Sequence, residues 1–399
     1  MTDPVVELAI DQSRGVTAPA GFRSAGVAAG IKASGDLDLA LVVNDGPLDS
    51  AAGVFTSNKI QAAPVLWSRQ AIADASLRAV VLNSGGANAC TGVEGFADTR
   101  ATARHVAALL GCEPTDVAVC STGLIGERLP MPAVLSGIDT AASALAATPQ
   151  AGLAAATAVL TTDTHAKQAW VSSPAGWSIG GFVKGAGMLA PNLATMLCVL
   201  TTDAVLTGDV LDTALRAATG VTFDRLDVDG GISTNDTVLV LTSGASGIAP
   251  DHTEFTELLT AISADLVAQL RSDAEGATKE IDIVVRGAVS EADAVAVGRV
   301  VAEDNLVKTA LFGSDPNWGR IAMALGRAPA EIDPDRLSIT ICGVPVMAHG
   351  TRARDRSTAD LSGRSIEVVI DLGLGQSQAT ILTTDLSHAY VEENSAYSS

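Results

Sequence analysis

Residues 184–198 read Lys184-Gly-Ala-Gly-Met-Leu-Ala-Pro-Asn-Leu-Ala-Thr195-Met-Leu-Cys198, and their interpretation decides the fold. The stretch opens on a basic residue beside flexible glycines and turns at Pro191-Asn192. It then places a threonine at the head of an apolar run, Met196 to Leu200, that has the pattern of a buried strand. A threonine hydroxyl is a weak nucleophile at neutral pH and needs a neighbouring base. Cutting the Ala194–Thr195 bond would create one, because a free α-amine titrates at about 7.7–8.0. A Pro-Asn turn followed by small residues can bring the hydroxyl onto the preceding carbonyl for an N-to-O acyl shift and hydrolysis. The plainer alternative is a glycine loop before a strand that happens to begin with a β-branched residue.

Outward from this stretch, composition narrows the class. A chain of 399 residues can bury large cores and form about two or three domains. Only 3% is aromatic against 47% hydrophobic, so Ala, Val, Leu and Ile must build the core. A net charge of −20 without a basic cluster argues against nucleic-acid binding, because phosphates would be repelled. Five scattered cysteines with no Cys-x-x-Cys pair fit reduced thiols in a cytoplasmic protein without structural zinc. Residues 1–20 carry Asp3, Glu7 and Asp11 instead of a signal peptide, and no run of about 18 apolar residues suits a membrane span.

Upstream, Arg78 to Asn83 predicts a strand feeding the glycine-rich turn 84–92, which could offer amides to an anion but fits no nucleotide-binding spacing. Asp116 to Cys120 predicts a strand delivering Ser121-Thr-Gly-Leu-Ile-Gly126 into a cleft. Met131 to Leu160 predicts two helices broken near Thr148-Pro149, followed by the polar cluster Thr161 to Lys167. Trp177 to Val183 predicts a strand, so strands flank the proposed cut and can lie side by side.

Downstream, helices are expected over 209–218, 253–271 and 290–303, and strands over 237–242, 281–286, 337–342, 366–372 and 379–384. The acidic turn 227–237 lacks the EF-hand order. Residues 314–320 read as a polar loop and residues 385–399 as a polar tail of the kind that usually frays. Strands and helices without a regular β-α-β rhythm favour a layered α/β sandwich over a barrel.

Several stretches together resemble the ornithine acetyltransferase family, the bifunctional glutamate N-acetyltransferases of arginine biosynthesis. They are residues 21–27, 83–92, 120–126, 184–196, Ser233-Thr-Asn-Asp-Thr237, 314–320 and the last fifteen residues. The similarity spans essentially the whole chain. It implies a layered αββα sandwich of the N-terminal-nucleophile type, with an additional smaller α/β domain in the C-terminal half. It implies self-cleavage into an α chain, 1–194, and a β chain, 195–399, assembled as two copies of each. The implied reaction passes the acetyl group of N-acetylornithine to glutamate, releasing ornithine and N-acetylglutamate, without a cofactor or metal. Whether acetyl-CoA is also a donor stays open.

Residue by residue, the resemblance makes Thr195 the nucleophile freed after Ala194, and Thr122 and Gly123 the oxyanion donors. Thr161, Lys184, Glu275, Asn394 and Ser399 become substrate contacts. The chain departs from the family pattern at Gly86, where asparagine is common, and near Leu382, where tryptophan is. Two rival readings are a self-processed aminopeptidase or amidase and a non-catalytic amino-acid-binding protein with an intact chain.

Overall fold

The computed structural model describes residues 9–189 and 196–396. The first part of the chain gives β1 (Phe22–Val27), β2 (Leu39–Asn44), β3 (Ala51–Phe55), α1 (Ala63–Ala71), β4 (Ala79–Asn83), α2 (Gly92–Leu110), β5 (Val117–Ser121), α3 (Met131–Ser143) and α4 (Pro149–Ala158). There follow β6 (Lys167–Ser172), β7 (Ser178–Lys184), β8 (Leu197–Thr202), α5 (Gly208–Val221), β9 (Thr237–Thr242) and α6 (His252–Ser272). The last part holds β10 (Glu280–Ala288), α7 (Glu291–Ala302), α8 (Asn305–Phe312), α9 (Trp318–Leu325), β11 (Ser338–Ile341), β12 (Val344–Ala348), β13 (Thr351–Arg352), β14 (Ser365–Asp371), β15 (Ser377–Thr384) and α10 (His388–Ala396).

Two sheets stack face to face. One has the order β1-β2-β4-β5 and the other β3-β9-β8-β7-β6. Because side chains alternate along a strand, β8 and β9 each serve two cores. Leu197, Val199, Leu239 and Leu241 point at the four-stranded sheet and share a core with Val42, Val80 and Leu82 on its facing side. Cys198, Leu200, Val238 and Val240 point the other way, onto Leu211 and Leu215 of α5 and Phe255, Ile262 and Leu266 of α6. Helices α1 to α3 cover the outer face of the four-stranded sheet. The result is the expected αββα sandwich. Strands buried on both faces read as continuous apolar runs, which is why residues 196–200 and 237–242 could be assigned from sequence.

The expected smaller α/β domain is also present. A six-stranded sheet, β13-β12-β11-β14-β10-β15, packs on α7, α8 and α9 around its own core of Ile283, Val297, Ile339 and Val368. A bridge between Leu226 and Leu382 ties it to the sandwich.

Strands β7 and β8 pair antiparallel from Ile179–Thr202 to Lys184–Leu197, so the two strands flanking residues 185–196 are direct neighbours. Leu197 pairs in turn with Thr237 at the start of β9. Lys184 and Thr237 therefore sit at the same end of one sheet.

Two sequence expectations need correction. The loop read over 314–320 is a loop only to Asn317, after which α9 begins at Trp318. The tail expected to fray is the helix α10 through Ala396, where the Ser387 hydroxyl donates to Gly276 O (2.5 Å) and accepts Tyr390 N (3.1 Å). Helices α1 and α8 and strand β6 were not anticipated. Among the described residues no helix is long and apolar enough to cross a membrane.

Candidate active site

The end of β5 delivers Thr122 and Gly123 into a cleft, and the glycine-rich turn after β4 holds them there. Thr122 N donates to Asn83 O (3.0 Å), Gly86 N to Thr122 O (3.0 Å) and Ala87 N to Leu124 O (2.9 Å). These amides are engaged within the protein, so the sequence expectation that this turn presents them to an anion is corrected: the turn is a buttress. A side chain at Gly86 would begin 2.7 Å from Leu129 Cδ2, so an asparagine could not be accommodated without moving Leu129. Asn235, buried and given no role by the sequence beyond the resemblance of residues 233–237, clamps the assembly by donating to Ala87 O (2.7 Å) and Ser121 O (2.8 Å). Gly123 has φ +125°, a conformation that favours glycine, and lies against the backbone of Gly85 and Gly86.

Lys184, at the end of β7, is 1% exposed. Its ammonium donates to Thr122 Oγ1 (3.1 Å) and Thr161 Oγ1 (2.9 Å). A hydroxyl oxygen that accepts from a cation directs its own proton elsewhere and becomes a stronger donor. Burial pulls the Lys184 ammonium below its ordinary value, against the upward pull of Asp163. The Asp163 carboxyl is raised by burial, but Lys184, Lys167 and the Gly185 amide outweigh this and hold it at about 2.

Asp163, Lys167 and Asp273 form a buried ionic trio, with Lys167 Nζ 2.7 Å from Asp163 and 2.5 Å from Asp273. The contribution of Asp163 to stability is complete above the unfolded carboxylate range and fades as pH falls toward about 2. Replacing Lys167 with methionine strands two buried carboxylates. It is expected to destabilise the fold by about 3–5 kcal/mol, measured by denaturant unfolding.

The opposite wall comes from the segment after α6. Glu275 N donates to Ala186 O (3.0 Å), and the carboxylate occupies the space that a Cβ at Gly187 would take. Asn394 of α10 donates to Glu275 Oε2 (2.9 Å). Thr122, Gly123, Thr161, Lys184, Glu275 and Asn394 thus line one cleft of about 790 Å³. Ala194, Thr195 and Ser399 lie outside the described residues.

Two further lining residues escaped the sequence reading. Asp229 accepts Met188 N (2.8 Å) and the Tyr390 hydroxyl (3.4 Å), fixing Met188 at φ +53°. The acidic turn containing Asp229 was visible, but it lacks the EF-hand order and suggested no role, and nothing in the sequence pairs it with Tyr390.

A model described as the ArgJ family matches residues 23–399. The arginine biosynthesis bifunctional protein ArgJ of Mycolicibacterium paratuberculosis is 56% identical over 404 residues, covering 100% of both chains. That of Thermobifida fusca is 57% identical over 383 residues, covering 96% of this chain and 99% of its own. A solved ornithine acetyltransferase from Mycobacterium tuberculosis, complexed with ornithine, is 54% identical, covers 47% of this chain and 99% of its own, and aligns with a TM-score of 0.46. The chain belongs to the ArgJ family.

Proposed function

We propose that this protein transfers an acetyl group from N-acetylornithine to glutamate through an acetyl ester on Thr195, after cutting its own chain between Ala194 and Thr195. The observation that carries the reading is the convergence of Thr122, Gly123, Lys184, Glu275 and Asn394 on one cleft, at the end of the strands that flank the scission point. The arginine-biosynthesis name of relatives 56% identical over the full chain supports the same pathway.

In the first half-reaction the Thr195 hydroxyl attacks the acetamide carbonyl while its α-amine takes the proton. Negative charge builds on the carbonyl oxygen, where the Thr122 hydroxyl and the Gly123 amide are the proposed donors. Lys184 keeps the Thr122 hydroxyl turned toward that oxygen. Ornithine leaves as the amine is reprotonated, and the α-amine of glutamate then attacks the ester by the reverse path. The Glu275 carboxylate suits a substrate ammonium, with Asn394 orienting it and Ser399 adding a polar contact. The scheme needs no cofactor and leaves acetyl-CoA as a second donor for glutamate. Two copies of each fragment, in the cytoplasm, complete the proposal.

Incubation with N-acetylornithine alone should add one acetyl mass to the fragment beginning at Thr195, and glutamate should discharge it. Release of the acetyl group to water at the same rate with and without glutamate would instead identify an amidase.

A further inference from the structure

Self-cleavage poses a proton problem that turnover does not. The α-amine that acts as base in the finished enzyme is still a peptide nitrogen in the uncut chain and cannot accept a proton, so the first attack by Thr195 needs a different group. This inference rests on the reading of Thr195 given above.

Asp236 is a carboxylate hydrogen-bonded to the residue that follows Thr195. It is fully buried, sits between the Asn235 clamp and the start of β9, and accepts Met196 N on Oδ1 (3.2 Å). Its second oxygen, Oδ2, is also buried and has no hydrogen-bond partner among the described residues. The hydroxyls of Thr56 and Ser233 lie beside the carboxyl group; Thr56 Oγ1 donates to Ser233 O (2.7 Å), while Ser233 Oγ accepts Asn235 N (3.1 Å) and keeps its own proton to give. The charged group facing it is Lys184, itself set among Asp163, Lys167 and Glu275. Met196 N is bonded to the carbonyl carbon of Thr195, so covalent geometry alone keeps the Thr195 nitrogen within about 4 Å of the amide that Asp236 holds. A buried acceptor is rarely left empty. Besides the Ser233 hydroxyl, the residue one bond from the amide that Asp236 holds is Thr195, which must lose and regain a proton.

We propose that Asp236 is the proton carrier of the scission step, taking the proton of the Thr195 hydroxyl and returning it to the Thr195 nitrogen. The hydroxyl oxygen bonds to the Ala194 carbonyl carbon as its proton passes to the Asp236 carboxylate. The Ala194–Thr195 C–N bond then breaks as the proton moves from the Asp236 carboxyl to the departing nitrogen, leaving an ester. Water hydrolyses the ester to an Ala194 carboxylate and a free Thr195 with both hydroxyl and amine. Burial pushes the Asp236 carboxyl well above the usual carboxylate range. A group so displaced is a stronger base than an exposed aspartate and gives the proton back near neutral pH.

The test follows scission of freshly synthesised full-length chain on a denaturing gel, with thermal unfolding of the same samples. Asp236→Asn keeps the acceptor for Met196 N but cannot carry the proton, and scission is expected to slow by about 100-fold. Asp236→Glu, which keeps the carboxylate, is expected to cut at an intermediate rate. A folded Asp236→Asn chain cut less than tenfold more slowly than wild type overturns the assignment, as does a folded Asp236→Glu chain cut no faster than Asp236→Asn. Should Asp236→Asn fail to fold, the wild-type pH profile decides. A scission rate rising through one ionisation supports the carrier, and a rate constant between about pH 5 and 9 overturns it. If the wild-type chain is never cut, the reading of Thr195 fails too. If it is cut and the variants match it, only the role of Asp236 falls.

Discussion

Replacing Thr195 with alanine is expected to leave one uncut polypeptide of 399 residues and to lower kcat/KM by at least about ten-thousand-fold. The size of the effect follows from economy of parts. In a triad, removing the base still leaves a nucleophile, whereas in the proposed mechanism one residue supplies both the hydroxyl that attacks and the amine that accepts its proton. Alanine removes the first and, by blocking the acyl shift, prevents the second from forming. What remains is a cleft with oxyanion donors and no attacking atom. A denaturing gel would show one band where the wild type shows fragments of 194 and 205 residues, the latter being 399 less 194. Thr195→Ser keeps both parts and should still be cut. An uncut Thr195→Ala protein that transferred acetyl at the wild-type rate would remove the covalent route altogether.

Gly123→Ala is the second large effect, with kcat expected to fall by about 100- to 1000-fold and KM to change little. The new Cβ would stand 2.5 Å from Gly86 N and 2.8 Å from Gly85 C, both rigid backbone. The residue would also have to hold φ +125° or swing away from it. Either the turn stays, with strain of about 1–3 kcal/mol, or it relaxes and carries the amide of residue 123 out of line. The proposed substrate contacts, Lys184, Glu275 and Asn394, are not touched by this change, so the loss should fall on the step where charge develops on oxygen. The measurement is steady-state kinetics alongside thermal unfolding. A kcat within threefold of wild type would remove Gly123 from the oxyanion role.

Much of the sandwich was legible because its central strands are buried on both faces. Leu197 to Thr202 and Thr237 to Thr242 are buried throughout and carry the apolar runs Leu197 to Leu200 and Val238 to Leu241, and the break at Thr148-Pro149 marks where α3 gives way to α4. Helix α10 was not legible for the opposite reason. His388-Ala-Tyr-Val-Glu-Glu-Asn-Ser-Ala396 buries no residue, so periodicity has no apolar face to report. Its order comes from Ser387, Tyr390 and Asn394 reaching across to Gly276, Asp229 and Glu275.

The site divides in the same way. Thr122, Gly123 and Lys184 read locally as turn residues and gained meaning only through resemblance. Asn235 and Asp236 look like any polar turn in sequence, because a clamp spanning 148 positions and a carboxylate oxygen sealed from water exist only after folding.

The interleaved five-stranded sheet carries one more implication. Strands β3, β6 and β7 come from before the proposed cut and β8 and β9 from after it, in the order β3-β9-β8-β7-β6. Each fragment supplies neighbours that the other lacks, so neither has a complete sheet of its own. A cut at the proposed point would therefore leave two halves joined by one sheet, and on that reading a nascent or damaged molecule that never assembles the sheet stays an inert zymogen.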